Sequence, residues 1–391
     1  MTKKLGFHTL GVQPAVLRWA RESQGYSLDD VGIHLKRDIG DIVAWESGTA
    51  SPTYAQLEKL AYGLYKRPLA VFFLPAPPRE PKVKQEFRTL PDIELDRLAA
   101  DTRYQIRLAH AYRISLRELS DGVNPSPRKI FREVQLTHQA NVLEAARQVR
   151  GHLKITLDEQ SAWKDSDEAL KAWRTAVEAD GVFVFKHSFK QKNISGFCLA
   201  DDEFPIIYLN NSTAKTRQIF SLFHELVHLL MKVNAISTLD DACVQDLPPR
   251  EQRIEQFCNA LAAEILVPSE DFDAQLFELS QSDDEAVQRL ARRYHVSREA
   301  ILRRFLDRGM VDRAQYEAKA QRWAVESEND GTGGNYYATQ SAYLGERYMQ
   351  IVFAKHYQGK LDLEQVADYL GVRTRSVAGI EARLFRNLVS A

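Results

Sequence analysis

Three cysteines in 391 residues, Cys198, Cys243 and Cys258, are few, odd in number and without Cys-x-x-Cys spacing. They exclude a disulfide scaffold and fit a reducing compartment, with buried small hydrophobes as their default role. Net charge is missing too. The 52 Lys and Arg against 53 Asp and Glu leave −1, so no whole-molecule field draws the chain to phosphate or anionic lipid. Any nucleic-acid contact must come from a local patch. No apolar run approaches the about 18 residues that span a bilayer, and the opening MTKKLGFHTLGVQP has no signal-peptide core. A cytoplasmic protein with no membrane contact is expected.

What is present is ordinary globular composition on a chain too long for one core, since single cores seldom grow past about 250 residues. The fold class expected is mainly α with a small β-sheet (α+β). Residues 14–74 read as short helices. Ser27 and Thr53 stand where N-caps are wanted and Gly25 and Gly48 where helices stop. The proline-rich PAPPREPKVKQ (75–85) is a linker, followed by connecting helices over 93–151. Between Gly181 and Leu209 the period changes: VFVFK, GFCLA and PIIYLN predict a small sheet. A long apolar helix follows over about 212–231, then a polar loop at 234–249 and a second helix over 250–266 closed by Pro268. Helix pairs recur at 284–307 and 363–385, with NDGTGGN (329–335) as a flexible joint before the last. The expected domains are 1–76, 77–128, 129–270, 271–328 and 329–391.

HELVH has the form His-Glu-x-x-His. Residues four apart share one helix face, so His224 and His228 can present ring nitrogens to one cation, with Glu225 placed to hydrogen-bond a water beside it. The surrounding IFSLFHELVHLLM is apolar on nearly every side. The helix must therefore be buried, where unpaired His and Glu would be costly without a metal. A catalytic zinc wants a third protein ligand. The next helix, RIEQFCNALAAEILVP, offers Glu255, which shares a face with Asn259, and Glu251 and Glu264 are rivals. Two histidines and a carboxylate would hold Zn2+, and Mn2+ would also be accepted. Tyr208, His187 and Arg217 are the polar groups near enough in sequence to be weighed as oxyanion stabilisers. Cys258 or Cys198 could cap a latent metal.

FHELVHLL followed by IEQFCNALAAEILVP resembles the ImmA/IrrE family of metallopeptidases, over residues 130–270. That resemblance implies a zincin-like domain, His224, His228 and Glu255 as zinc ligands, Glu225 as general base and Asn259 as a partner orienting a ligand histidine. The implied activity is a zinc-dependent endopeptidase, regulating gene expression by cleaving a helix-turn-helix repressor in a stress, phage or mobile-element response.

LRWARESQGYSLDDVGIHLKRDIGDIVAWESGTASPTYAQLEKLAYGLYKRPLAVFFLP resembles the Xre/Cro-type helix-turn-helix family, above all at Ile42, Trp45-Glu46-Ser47-Gly48 and Pro52-Thr53, which implies an all-α DNA-binding fold. The outward positions Asp38, Ile39, Gly40, Asp41, Val43 and Ala44 lack base-pairing side chains, and two aspartates repel phosphate. Lys36 and Arg37 are the contacts left for DNA or a protein partner, and a homodimer is a further expectation. The alternative whole-chain reading is a DNA-binding Xre-type regulator or antitoxin-like protein with a silent or structural metal site.

Overall fold

A computed structural model describes residues 9–81, 83–87, 91–238, 242–277, 284–326 and 336–389. The expected joint at 329–335 lies outside them. The chain is mainly helical with one four-stranded sheet, an α+β fold. It divides into two units. One comprises the described residues up to Glu86 with Pro91–Leu108; the other comprises Phe87 and the described residues from Ala109 onward. Among the described residues, no helix is long and apolar enough to cross a membrane.

In the first unit the helices start and stop where the local chemistry dictates. Ser27 caps Leu28–Leu35 by accepting from the Asp30 amide, while the Asp30 side chain accepts from the Ser27 amide. Thr53 and Gln56 do the same for Tyr54–Glu58. Gly48, at φ +80°, ends Ile39–Ser47 in the left-handed conformation that a side chain would resist. Val16, Leu17, Val31, Ile42, Leu57 and Phe72 form the core. Beside it Arg21 grips the buried Glu46 carboxylate through two hydrogen bonds of 2.7 and 2.9 Å.

The turn joining Leu28–Leu35 to Ile39–Ser47 contains Lys36, at φ +54°, and Arg37, which pairs with Asp41 at 3.5 Å. Both cations are exposed. Asp38 spends a carboxylate oxygen capping the Gly40 amide at 2.8 Å. Around this turn Ile33, Ile39 and Val43 are exposed, so the face presents apolar and acidic groups with two cations at its edge.

In the second unit the strands are β1 (Phe183–His187), β2 (Ile194–Leu199), β3 (Ile206–Asn210) and β4 (Ala235–Thr238), in the order β1-β3-β2-β4. β1 and β3 run parallel, and β2 is antiparallel to both β3 and β4. Alternation splits the sheet into two faces. Phe185, Phe197 and Tyr208 form an aromatic layer with Tyr112 and Tyr348, whereas Val184, Cys198, Ile207 and Leu209 join the helical core. Two helices lie on that second face: Ser166–Ala179, called the Trp173 helix, and Lys215–Leu230, called the histidine helix. Against the latter packs Pro249–Leu266, the glutamate helix.

β4 corrects the expected polar loop at 234–249, which also holds a helical turn at Ala242–Gln245. AIST is short and half polar, and it becomes a strand because β2 offers it a ladder rather than through any pattern of its own.

Candidate metal centre

The histidine helix is buried on almost every side from Gln218 to Leu230, because the sheet lies beneath it and helices flank it. His224 and His228 point across to the glutamate helix. Their Nε2 atoms lie 3.1 Å apart, and each is 3.2 Å from a different oxygen of Glu255. Donors held 2.0–2.1 Å from a tetrahedral ion stand about 3.3–3.4 Å apart, so this triangle fits Zn2+ with little adjustment. The chemistry fits as well: all three residues are buried, and Glu255 Oε1 has no hydrogen bond of good geometry despite facing His228. The triad is the His/Cys/Asp/Glu group able to hold a metal among the described residues.

The electrostatics follow from burial and pairing. Burial works against the Glu255 charge, but the two histidines outweigh it and hold its carboxyl well below the usual range. Burial likewise opposes charge on His224, yet Glu255 overcomes it and raises that ring. Glu225 is fully buried; burial pushes its carboxyl up against the pull of both histidines. Neither of its oxygens makes a well-formed hydrogen bond, with Ser237 and Cys198 as its polar neighbours.

One turn of the glutamate helix also serves both rings from behind. Asn259 Oδ1 lies 2.9 Å from His224 Nδ1, and Cys258 Sγ lies 3.6 Å from His228 Nδ1. With partners there, a proton held on Nδ1 would leave each Nε2 free to face a metal ion. Cys258 thus stands on the far edge of His228 from the ligand atoms, which removes it as a cap. Cys198 donates to the Val233 carbonyl at 3.5 Å. The Cys243 side chain lies outside the described residues.

The rival carboxylates are elsewhere. Glu251 is half-buried in the first turn of its helix. Glu264 accepts from the Ser269 amide and hydroxyl at 2.7 Å and from Arg304 at 2.8 Å. Tyr208 is stacked on Phe197 in the aromatic layer, and His187 packs on Tyr343 at the end of β1. Of the three oxyanion candidates, Arg217 alone lines the cleft that holds His224 and Glu255.

That cleft measures about 510 Å³. Its walls are the histidine and glutamate helices, Ser237 and Thr238 of β4, and Arg298–Asp307, whose Ala300 and Arg303 face it. Glu225 and His228 sit one layer beneath its surface.

This combination, a small sheet under a His-Glu-x-x-His helix with a carboxylate from the next helix, is a zincin-like fold. Residues 177–306 match the IrrE N-terminal-like domain, a metallopeptidase family, over about a third of the chain. Over 150 residues the chain is also 31% identical to the radiation response metalloprotease IrrE of Deinococcus deserti, covering 38% of this chain and 52% of that protein. The chain thus spans about half the length of the curated relative it matches.

Proposed function

We propose that this chain is a zinc-dependent endopeptidase that controls gene expression by cleaving a helix-turn-helix repressor. The observation that carries the peptidase reading is the buried triangle of His224, His228 and Glu255, with the unpartnered carboxylate of Glu225 one layer below the cleft. The regulatory part rests on likeness to a protein named as a radiation response metalloprotease.

In this reading His224, His228 and Glu255 hold the ion, and Asn259 and Cys258 fix the two rings. A bound Zn2+ would activate water and polarise the scissile carbonyl. Glu225 accepts the water's proton on its carboxylate and delivers it to the departing amine. Arg217 lies in the cleft where it can meet a carbonyl or carboxylate of the substrate. The N-terminal unit is assigned as the Xre-type module. Its apolar and acidic face, with Ile33, Ile39, Val43, Asp38 and Asp41, suits a protein partner better than base edges, and Lys36 and Arg37 would add at most phosphate contacts.

Elemental analysis of the purified protein, paired with cleavage of a candidate repressor, tests this. One equivalent of zinc is expected in wild type and Glu225→Gln, with metal lost from His228→Ala and Glu255→Gln and cleavage lost from all three. A wild-type chain without stoichiometric metal would shift the weight to a DNA-binding regulator with a silent site. Full metal retention in Glu255→Gln would remove Glu255 as a ligand.

A further inference from the structure

The cleft differs between its two ends. His228 reaches Glu255 and Cys258, whereas His224 faces Glu255 and Asn259, so the histidine and glutamate helices run antiparallel. Phe220, one turn before His224, therefore lies on the side of Ala263, one turn after Asn259. The Phe220 ring is 6.2 Å from the His224 ring. Gln160 donates to the carbonyls of both Leu266 and Tyr294, which brings Val296 and the start of Arg298–Asp307 to the same end. There the cleft is lined by Phe220, Ala263, Leu266, Val267, Val296 and Ala300. Toward the start of the glutamate helix it is lined instead by Gln252 and Gln256, with Val244 and Gln245 beside them.

Leu266, Val267 and Val296 make a floor that is at most 5% exposed, and the alanine walls reach in by one methyl group each. The cations beside this end are engaged. Arg304 donates to the Glu264 carboxylate at 2.8 Å and to the Val267 carbonyl at 2.6 Å, and Arg303 to Asp307 at 3.2 Å. The Arg217 guanidinium lies over the Phe220 ring, 5.6 Å from its centre. An apolar side chain gains by leaving water for such a floor, while a charged one would lose its hydration and find no partner.

We propose that this end of the cleft is the specificity subsite of the peptidase, taking a large apolar side chain of the leucine, methionine or phenylalanine class. Extended peptide advances about 3.3 Å per residue, so that side chain stands within about three residues of the cleaved bond. It stands on one side of the bond only, because the opposite end is lined largely by amides. Ala263 and Ala300 set the size of the subsite. The inference rests on the peptidase reading and adds its substrate class.

A peptide library made by digesting a bacterial proteome tests it in two ways. Zinc-loaded Glu225→Gln is used to retain peptides, and zinc-loaded wild type to cut them, with both outputs read by mass spectrometry. Cut bonds should favour leucine, methionine or phenylalanine over alanine or serine at one nearby position by roughly tenfold or more, and retained peptides should be enriched in the same residues. Ala263→Phe and Ala300→Phe, each at a half-buried position, should keep their zinc and lose that preference in favour of small side chains. No preference, an equal preference on both sides of the bond, or a preference unchanged in both variants would overturn the subsite and leave the peptidase reading intact. Apolar retention by Glu225→Gln without cleavage by wild type would uphold the subsite and sink the hydrolytic reading. Neither retention nor cleavage would overturn both.

Discussion

Replacing Lys186 by Met should change not only the stability of the second unit but its dependence on pH. Burial, with Arg174 and Lys215 adding to it and Asp167 opposing, lowers the Lys186 ammonium from 10.5 to about 6. Between those values the unfolded chain holds a proton that the folded chain does not. Folding is therefore penalised there, and the penalty falls as pH rises toward the unfolded value. One proton of difference corresponds to about 1.4 kcal/mol per pH unit, so raising the pH from about 6.5 to about 8.5 should stabilise wild type by roughly 2.7 kcal/mol more than Lys186→Met. For a unit of this size that is a Tm difference of about 5 °C. Urea unfolding of both proteins at the two pH values, in chloride buffer with zinc held saturating, measures the double difference and cancels every other titration. Parallel pH curves, or a gap that widens toward acid in favour of wild type, would refute the reasoning.

Two further outcomes follow from specific contacts. Asn259→Ala and Cys258→Ala each free one Nδ1 atom, and zinc affinity measured by chelator competition should drop about tenfold for Asn259→Ala and less for Cys258→Ala, because sulfur is the weaker acceptor. Arg21→Ala leaves the buried Glu46 carboxylate only the half-exposed Arg18, 3.8 Å away, which should cost the first unit about 3 kcal/mol in denaturant unfolding, with Arg21→Lys recovering only part since one ammonium cannot replace two parallel hydrogen bonds.

Much of this was legible in the sequence where a rule of spacing applies. The four-residue interval of His224 and His228 and the short runs of branched and aromatic residues in β1 to β3 need only helix geometry and strand composition. Choosing among Glu251, Glu255 and Glu264 was different in kind. All three sit on one helix, and only the packing of that helix on its neighbours shows that Glu264 turns to Arg304 while Glu255 meets the histidines. The strand at Ala235–Thr238 was hidden because its identity comes from β2. Lys186 was hidden for a related reason: at the end of VFVFK a lysine reads as the polar edge of a strand, and its burial is imposed by two helices that arrive from elsewhere in the chain. Cys258 was weighed as a cap on the metal, and its place behind His228 depends on which way the helix is rotated, which spacing alone leaves open by one residue.

The helix Arg298–Asp307 has two sides with separate duties. Ile301, Leu302 and Phe305 are sunk in the same core that supports the histidine helix, while Ala300, Arg303 and Asp307 look onto the cleft. Exchanges on the cleft side change what can lie against the wall without disturbing His224, His228 and Glu255, and exchanges on the inner side would disturb both. A lineage carrying this fold can therefore retarget its cleft through a few positions on one helix, three turns long, while the chemical centre is inherited unchanged.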